Sequence, residues 1–231
     1  MLVDSRVTTQ IEGGRRTGMK RQLITLLIAL LVAFCAFPSV NAHAIMVGDV
    51  ITFQDGLGPS PGGPFGLYKD GQYQFSTFCM ETDEYISFGT QYRIAGISGQ
   101  ANQGGSNTNT GDALDPRTAF LFYHYTVGDL SALAEAAGYH FNPASSADLG
   151  MLQQAIWFIE QESLGASNNL VTLANSANWT DIGPVRVLNI QTLSGGYAQD
   201  MLHTASVPEP MTLLLLGTGL IGVAAFRRKN K

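Results

Sequence analysis

The amino-acid sequence predicts an α+β fold, a single domain in which β-strands flank a central group of about three helices. Residues 46–53, 66–78 and 85–97 show the alternation and the β-branched and aromatic content of strands. Residues 185–190 return to this pattern after a central region with helical periodicity and capping signals. Strands that precede and follow a run of helices are typical of an α+β domain.

The composition argues against a nucleic-acid binder and favours an exported protein. Charged residues make up 13% of the chain and the formal net charge is −5, whereas nucleic-acid binding needs a basic face. The sequence contains no glycine motif of a dinucleotide or phosphate site and no serine-nucleophile motif. Its four histidines lack metal-binding spacing. We therefore expect no cofactor, no metal and no turnover enzyme.

Residues 1–44 have the composition of a leader followed by a cleaved signal peptide. Met19-Lys20-Arg21 precedes the apolar run 23–37, as in the basic and apolar regions of a secretory signal. We therefore expect translation to start at Met19. Small residues around Ala42 offer cleavage sites, and the run is short for the alternative, a membrane anchor. Cleavage would remove Cys35.

Cys79 is then the single cysteine of the exported domain, residues 45–206. It closes a strand-like run in which alternation places Phe75 and Cys79 on one face, so Cys79 is buried if that face is inward. Asp70-Gly71, earlier in the same region, is a hairpin signal. A single thiol cannot form an internal disulfide. It is either a small buried hydrophobe or a reactive group.

The central region is predicted to contain a polar loop and three helices. The Asn- and Gly-rich segment 98–111 is expected to be a solvated loop, with calcium binding as the alternative, although it lacks the ordered acidic ligands of known calcium loops. Asp115-Pro116 is a helix start for residues 118–125. A second helix is expected over residues 129–137, ended by a glycine.

The third helix begins at Ser145, which has the capping-box spacing to Asp148. Its apolar stripe consists of Leu149, Leu152, Ile156 and Ile159. Helical phase places Gln154 on the polar side and Gln153 at the edge of this stripe. A half-buried amide needs a hydrogen-bond partner. Two alternatives stay open for Gln153: a backbone group pairs with it, or it takes part in chemistry.

The C-terminal segment, residues 207–231, combines Pro208-Glu209-Pro210, an apolar run of marginal length for a membrane span, and a basic end with Arg227 and Arg228. A plain membrane anchor would explain the run and the charge. The whole pattern resembles the PEP-CTERM sorting signal of Gram-negative bacteria. The resemblance implies a transmembrane sorting helix that exosortase removes, and association with exopolysaccharide. The expected location is the inner membrane in transit, then the cell surface or extracellular matrix.

Two further motifs resemble those of bacterial thioester domains. Phe78-Cys79-Met80 corresponds to the aromatic-Cys-apolar triplet, and Gln153 opens the pattern Gln-x-Ala-Ile-Trp, which ends at Trp157. This sequence has Leu152 where the family usually has threonine. The resemblance implies that Cys79 attacks the Gln153 side-chain carbonyl, releases ammonia and forms an internal thioester. A partner's amine or hydroxyl would then become attached through Gln153.

The resemblance also implies a shield that keeps water off the thioester, for which Phe78, Trp157 and Phe158 are candidates. The candidate proton acceptors are Glu81, Asp83, Glu84 and Glu160. The first hypothesis is therefore a covalent surface or matrix adhesin for use in a biofilm. The alternative is a non-covalent structural or carbohydrate-binding component of the exopolysaccharide matrix, which exposed aromatic residues in 65–95 would favour. A hydrolase is a weaker third possibility.

Overall fold

The computed structural model describes residues 45–59, 62–103 and 111–205, together with the single residue Gly217. The predicted signal peptide, residues 104–110 of the loop 98–111, and the sorting segment with Pro208, Glu209, Pro210, Arg227 and Arg228 lie outside the described residues. Within the described ranges, none of the helices has both the length and the apolar character needed to cross a membrane.

The α+β class is confirmed: the described part of the chain forms eight strands and four helices. The first group of strands precedes all the helices, and the last two strands follow them. The elements are β1 (Val50–Asp55), β2 (Phe65–Lys69), β3 (Gln72–Thr77), β4 (Gln91–Ser98), β5 (Gln100–Ala101), β6 (Asp112–Ala113), α1 (Pro116–Val127), α2 (Leu130–Ala136), α3 (Ser146–Ile159), α4 (Asn169–Ser176), β7 (Val185–Thr192) and β8 (Tyr197–Thr204).

Four of these elements were not predicted from the sequence: α4, β8 and the short strands β5 and β6, the first of which lies inside the predicted loop 98–111. The helices number four among the described residues, not about three, because α4 forms behind its N-cap Asn168, whose side chain accepts a hydrogen bond from the Leu170 N–H. The strand β8 was not predicted, because half of its residues are polar.

Six strands form one antiparallel sheet in the order β3-β2-β1-β4-β7-β8, and β5 pairs with β6 in a separate ladder. The residues that follow β3 then pair with β8. Cys79 forms an antiparallel bridge with Met201, and Leu202 donates its N–H to the Phe78 carbonyl at 3.0 Å. The outermost strands in the sheet order, β3 and β8, are therefore linked by backbone pairing between β8 and the segment that follows β3 and contains Cys79.

Alternation along the segment after β3 divides its side chains between two apolar clusters. Phe78 and Met80 pack with the helices and with the inner residues of β7. Cys79 lies in the other cluster, which contains Phe53, Leu67 and Trp157. Trp157 is the helical residue of this second cluster, so α3 reaches the sheet core at the position of Cys79.

The helix α3 presents its predicted stripe to the core. Leu149, Leu152, Ile156 and Ile159 are all at most 3% exposed. The predicted capping box is half correct: the Ser145 hydroxyl accepts from the Asp148 N–H, but the Asp148 carboxylate accepts from the Asn142 N–H instead of reaching back to Ser145. Gln154 is exposed and Gln153 is 1% exposed, so the two adjacent glutamines differ as the helical phase predicts.

Candidate functional site

The Gln153 side-chain amide lies against the backbone of Cys79, although 74 residues separate them in the chain. The Gln153 Oε1 atom accepts two hydrogen bonds, from the Cys79 N–H and the Gly63 N–H, each at 3.0 Å. The Gln153 Nε2 atom donates to the Cys79 carbonyl at 2.9 Å. All these groups are buried. Three hydrogen bonds thus fix both the position and the orientation of the amide beside Cys79.

The Cys79 thiol shares its surroundings with that amide. Both the Gly63 N–H and the Cys79 N–H are close enough to the sulfur to lower the pKa of the thiol. Burial outweighs them and raises this pKa well above its usual value, and the negative charge of Glu81 raises it further. The two backbone donors that hold the amide oxygen therefore also lower the pKa of the thiol, but burial keeps the thiol neutral at neutral pH.

The loop before β2 reaches the pair because it lacks side chains. A Cβ atom on Gly63 would lie 3.2 Å from Gln153 Oε1 and 3.0 Å from the Thr77 carbonyl oxygen. Gly62, at a φ of +116°, would place a Cβ 2.7 Å from Gln153 Cγ and 3.0 Å from Trp157 Cη2. These two glycines were missed from the sequence, where the only signal is their adjacency in a loop rich in Gly and Pro.

Glu81 and Glu84 form a carboxyl pair near the thiol. Burial, and next the charge of Asp200, raise the pKa of Glu81 to about 9. Burial also raises the pKa of Glu84. Glu81 Oε1 and Glu84 Oε2 are buried without a donor among the described residues, and a proton carried by Glu81 would supply one. Glu81 is therefore protonated at neutral pH and is not a ready proton acceptor for Cys79.

The other two predicted proton acceptors have different surroundings. Asp83 is exposed. Glu160 is 3% exposed at the end of α3 and accepts a hydrogen bond from the Asp115 N–H, next to α1. Burial raises the pKa of Glu160 to about 8. No hydrogen bond links either carboxylate to Cys79 or Gln153 among the described residues.

A pocket of about 230 Å³ opens onto Cys79. Cys79, Phe65 and Trp157 form its buried floor, with exposed fractions of 7% or less. Its exposed wall includes Tyr85 and Phe88, which are 78% and 50% exposed. Trp157 was predicted for this region by residue. Phe65, Tyr85 and Phe88 fall within the range 65–95 where exposed aromatic residues were considered, but the sequence did not single them out, because their convergence depends on the fold.

The three predicted shielding residues are placed differently. Trp157 lies in the pocket floor beside the pair, 3% exposed. Phe78 is fully buried on the opposite side of its backbone, where its ring packs edge-on against Phe122 and Tyr125. Phe158 is 43% exposed and does not line the pocket, because it follows Trp157 by about 100° around the helix.

The part of the chain that the structure describes contains no group of three His, Cys, Asp or Glu side chains able to hold a metal ion. Half of the segment for which calcium binding was the predicted alternative, residues 104–110, lies outside it.

Comparison with known proteins identifies a C-terminal motif. Residues 206–229 match the family model of the PEP-CTERM protein-sorting motif. The match includes Pro208, Glu209, Pro210, Arg227 and Arg228, and it indicates an exported protein that crosses the membrane and is processed by exosortase. No curated protein and no solved structure matches the chain.

Proposed function

We propose that this exported protein forms an internal thioester between Cys79 Sγ and Gln153 Cδ and uses it for one covalent attachment to a partner. The observation that carries the proposal is the double hydrogen bond to Gln153 Oε1 from the Cys79 and Gly63 N–H groups. Two backbone donors on one carbonyl oxygen, with a thiol beside them, are the arrangement that acyl transfer needs.

These contacts support a direct route to the thioester. The Cys79 sulfur adds to Gln153 Cδ, and the negative charge that develops on Oε1 is stabilised by the two N–H groups already bonded to it. Loss of one such donor typically slows acyl transfer about 10²- to 10³-fold. The C–N bond then breaks, and the thiol proton leaves with the amide nitrogen as ammonia. Holding the two groups together supplies up to about 7–11 kcal/mol of the barrier.

Burial disfavours a thiolate intermediate but not the neutral reactants or the neutral product. A thiolate at Cys79 is disfavoured because desolvation raises the pKa of the thiol. A thioester carries no charge, so it avoids this penalty while remaining in the same buried place. The proton must therefore leave the sulfur during the attack, and raising the pH should speed formation.

In the attachment step, Cys79 Sγ, the nucleophile of the first step, would become the leaving group. An amine or hydroxyl of a partner adds to the Gln153 acyl carbon, the S–C bond breaks, and the proton of the nucleophile ends on Cys79. The product is an amide or ester through residue 153 and a free thiol. After exosortase processing, this chemistry would serve adhesion at the cell surface or within an exopolysaccharide matrix or biofilm.

A second candidate function is a non-covalent structural or carbohydrate-binding component of that matrix. The exposed Tyr85 and Phe88 support it, because they line a pocket within residues 65–95, where exposed aromatic residues were expected to favour this function. The three hydrogen bonds of Gln153 are compatible with it, since they satisfy the amide and link α3 to the segment after β3. In this case Cys79 is a small packing residue, as burial without any other partner allows.

Intact mass and thiol titration distinguish the two functions. With a thioester, the mature chain is lighter by one ammonia than its sequence requires, and Cys79 stays unreactive to alkylation even in urea, until methylamine opens the bond and adds at Gln153. Cys79→Ala should abolish these properties. Gln154→Ala, the control on the exposed side of α3, should retain them. Full sequence mass with a thiol that titrates on unfolding would leave the non-covalent function.

A further inference from the structure

The pocket beside Cys79 is the route by which a partner would reach the acyl group. Cys79 and Gly62 both line it, and Gly62 packs against the Gln153 side chain. Its volume of about 230 Å³ is below the range of roughly 300–1,000 Å³ that is usual for drug-sized ligands. A nucleophile that enters must therefore be a single small group or ring.

The walls of the pocket combine aromatic rings with a few polar groups. Phe65, Tyr85, Phe88 and Trp157 supply the aromatic surface, and Asp55 supplies a carboxylate. No hydrogen bond engages the Asp55 carboxylate within the described ranges. Among the described residues that line the pocket, none is Lys, Arg or His. An acidic ligand would meet no compensating positive charge here, so the occupant is neutral or cationic.

A polyol ring can use both kinds of surface that the pocket offers. Its C–H faces can pack on Trp157 and the other aromatic side chains of the lining, and its hydroxyls can donate to the Asp55 carboxylate, because a hydroxyl both donates and accepts hydrogen bonds.

We propose that this pocket binds one pyranose ring of a neutral glycan and that a hydroxyl of this ring takes the Gln153 acyl group. A pyranose ring has C–H faces that pack on aromatic side chains and a rim of hydroxyls for the polar groups. The proposal rests on the thioester of the proposed function for its transfer step. In that step, the acyl C–S bond breaks, an ester C–O bond forms, and the hydroxyl proton ends on Cys79 as a thiol.

Binding can be tested without the thioester. The full chain with Cys79→Ala is titrated with cellotetraose, maltotetraose and mannotetraose, and tryptophan fluorescence follows occupancy beside Trp157. We expect saturable binding of at least one tetrasaccharide, weakened about tenfold by Tyr85→Ala through loss of aromatic packing. The control is Tyr197→Ala, because Tyr197 is 54% exposed and lies outside the pocket lining. Absence of binding to all three sugars, or equal effects of the two variants, would overturn the proposal.

Transfer is tested on the wild-type chain with the same sugars and with methylamine. The expected product is a tetrasaccharide ester at residue 153, formed more slowly by Tyr85→Ala than by Tyr197→Ala. If the thioester reacts with methylamine but the chain neither binds the sugars nor forms a sugar ester, the glycan proposal is refuted and the thioester proposal stands. If the wild-type chain has its full sequence mass but binds the sugar, the thioester and the transfer step are refuted, and only the binding of the glycan in the pocket remains supported.

Discussion

Replacing Gln153 should destabilise the protein far more than replacing its neighbour, and the structure gives the magnitude. In a Cys79→Ala background, where no thioester can form, the Gln153 amide still bonds the backbone N–H and carbonyl of residue 79 and the Gly63 N–H. Its removal leaves three buried backbone groups unpaired. At about 1–3 kcal/mol each, and with pocket water relieving part of the cost, we expect a loss of about 3–5 kcal/mol.

Urea denaturation measures this loss as a change in the unfolding midpoint at constant slope. Gln153→Met is the sharper variant, because it nearly preserves side-chain volume and removes only the hydrogen bonds. Gln154→Ala is the control and should change the free energy of unfolding by no more than about 0.5 kcal/mol, since the side chain is exposed. A loss below about 1 kcal/mol for Gln153→Met would refute the claim that its amide bonds organise the site.

Three other outcomes are expected. Gly63→Ala should slow thioester formation about 10²- to 10³-fold by displacing one of the two donors to the amide oxygen. The control is Gly196→Ala, whose Cβ would meet only the Thr192 side chain, and it should form the thioester at the wild-type rate. Equal rates of ammonia loss by intact mass in the two variants would contradict this. Burial raises the pKa of Glu81 from 4.5 to about 9 and that of Glu160 from 4.5 to about 8. Between these values the folded state holds protons that the unfolded state releases, so stability should fall as the pH rises from about 4.5 to about 9. Glu160→Gln should reduce the slope of urea midpoint against pH, and an unchanged slope would exclude Glu160 as a source. Protein from an exosortase-competent host should end close to Pro210 by intact mass, and a retained C-terminal span would argue against processing.

The parts of the fold that were predictable from sequence depend on local pattern. The helix α3 has a capping serine and an apolar stripe of regular period, from which its position was predicted. The burial of Gln153 and the exposure of Gln154 then follow from helical phase. The burial of Cys79 was predicted from strand alternation, on the condition that the face it shares with Phe75 points inward.

The strand β8 was not predictable because its burial is decided by distant partners. Gln199 donates to the Glu81 carbonyl, and the Asp200 carboxylate accepts from the Asn189 side chain and the Ile190 N–H. Polar residues that are satisfied this way look like loop residues in the sequence. The role of Gly63 was not predictable for the same reason, because it depends on one N–H that donates to the Gln153 side chain, 90 residues away in the sequence.

The distribution of donors at the site is the main structural support for the proposed thioester. A structural glutamine requires one partner for each polar end, and one donor to its carbonyl oxygen would be enough. Here the Gly63 and Cys79 N–H groups both bond that oxygen, and the same two groups lower the pKa of the thiol. In the proposed acyl transfer they would favour negative charge on both atoms that carry it, the attacking sulfur and the carbonyl oxygen. Cys79 and Gln153 are each 1% exposed, so these donors would act on the proposed reaction without competition from bulk water.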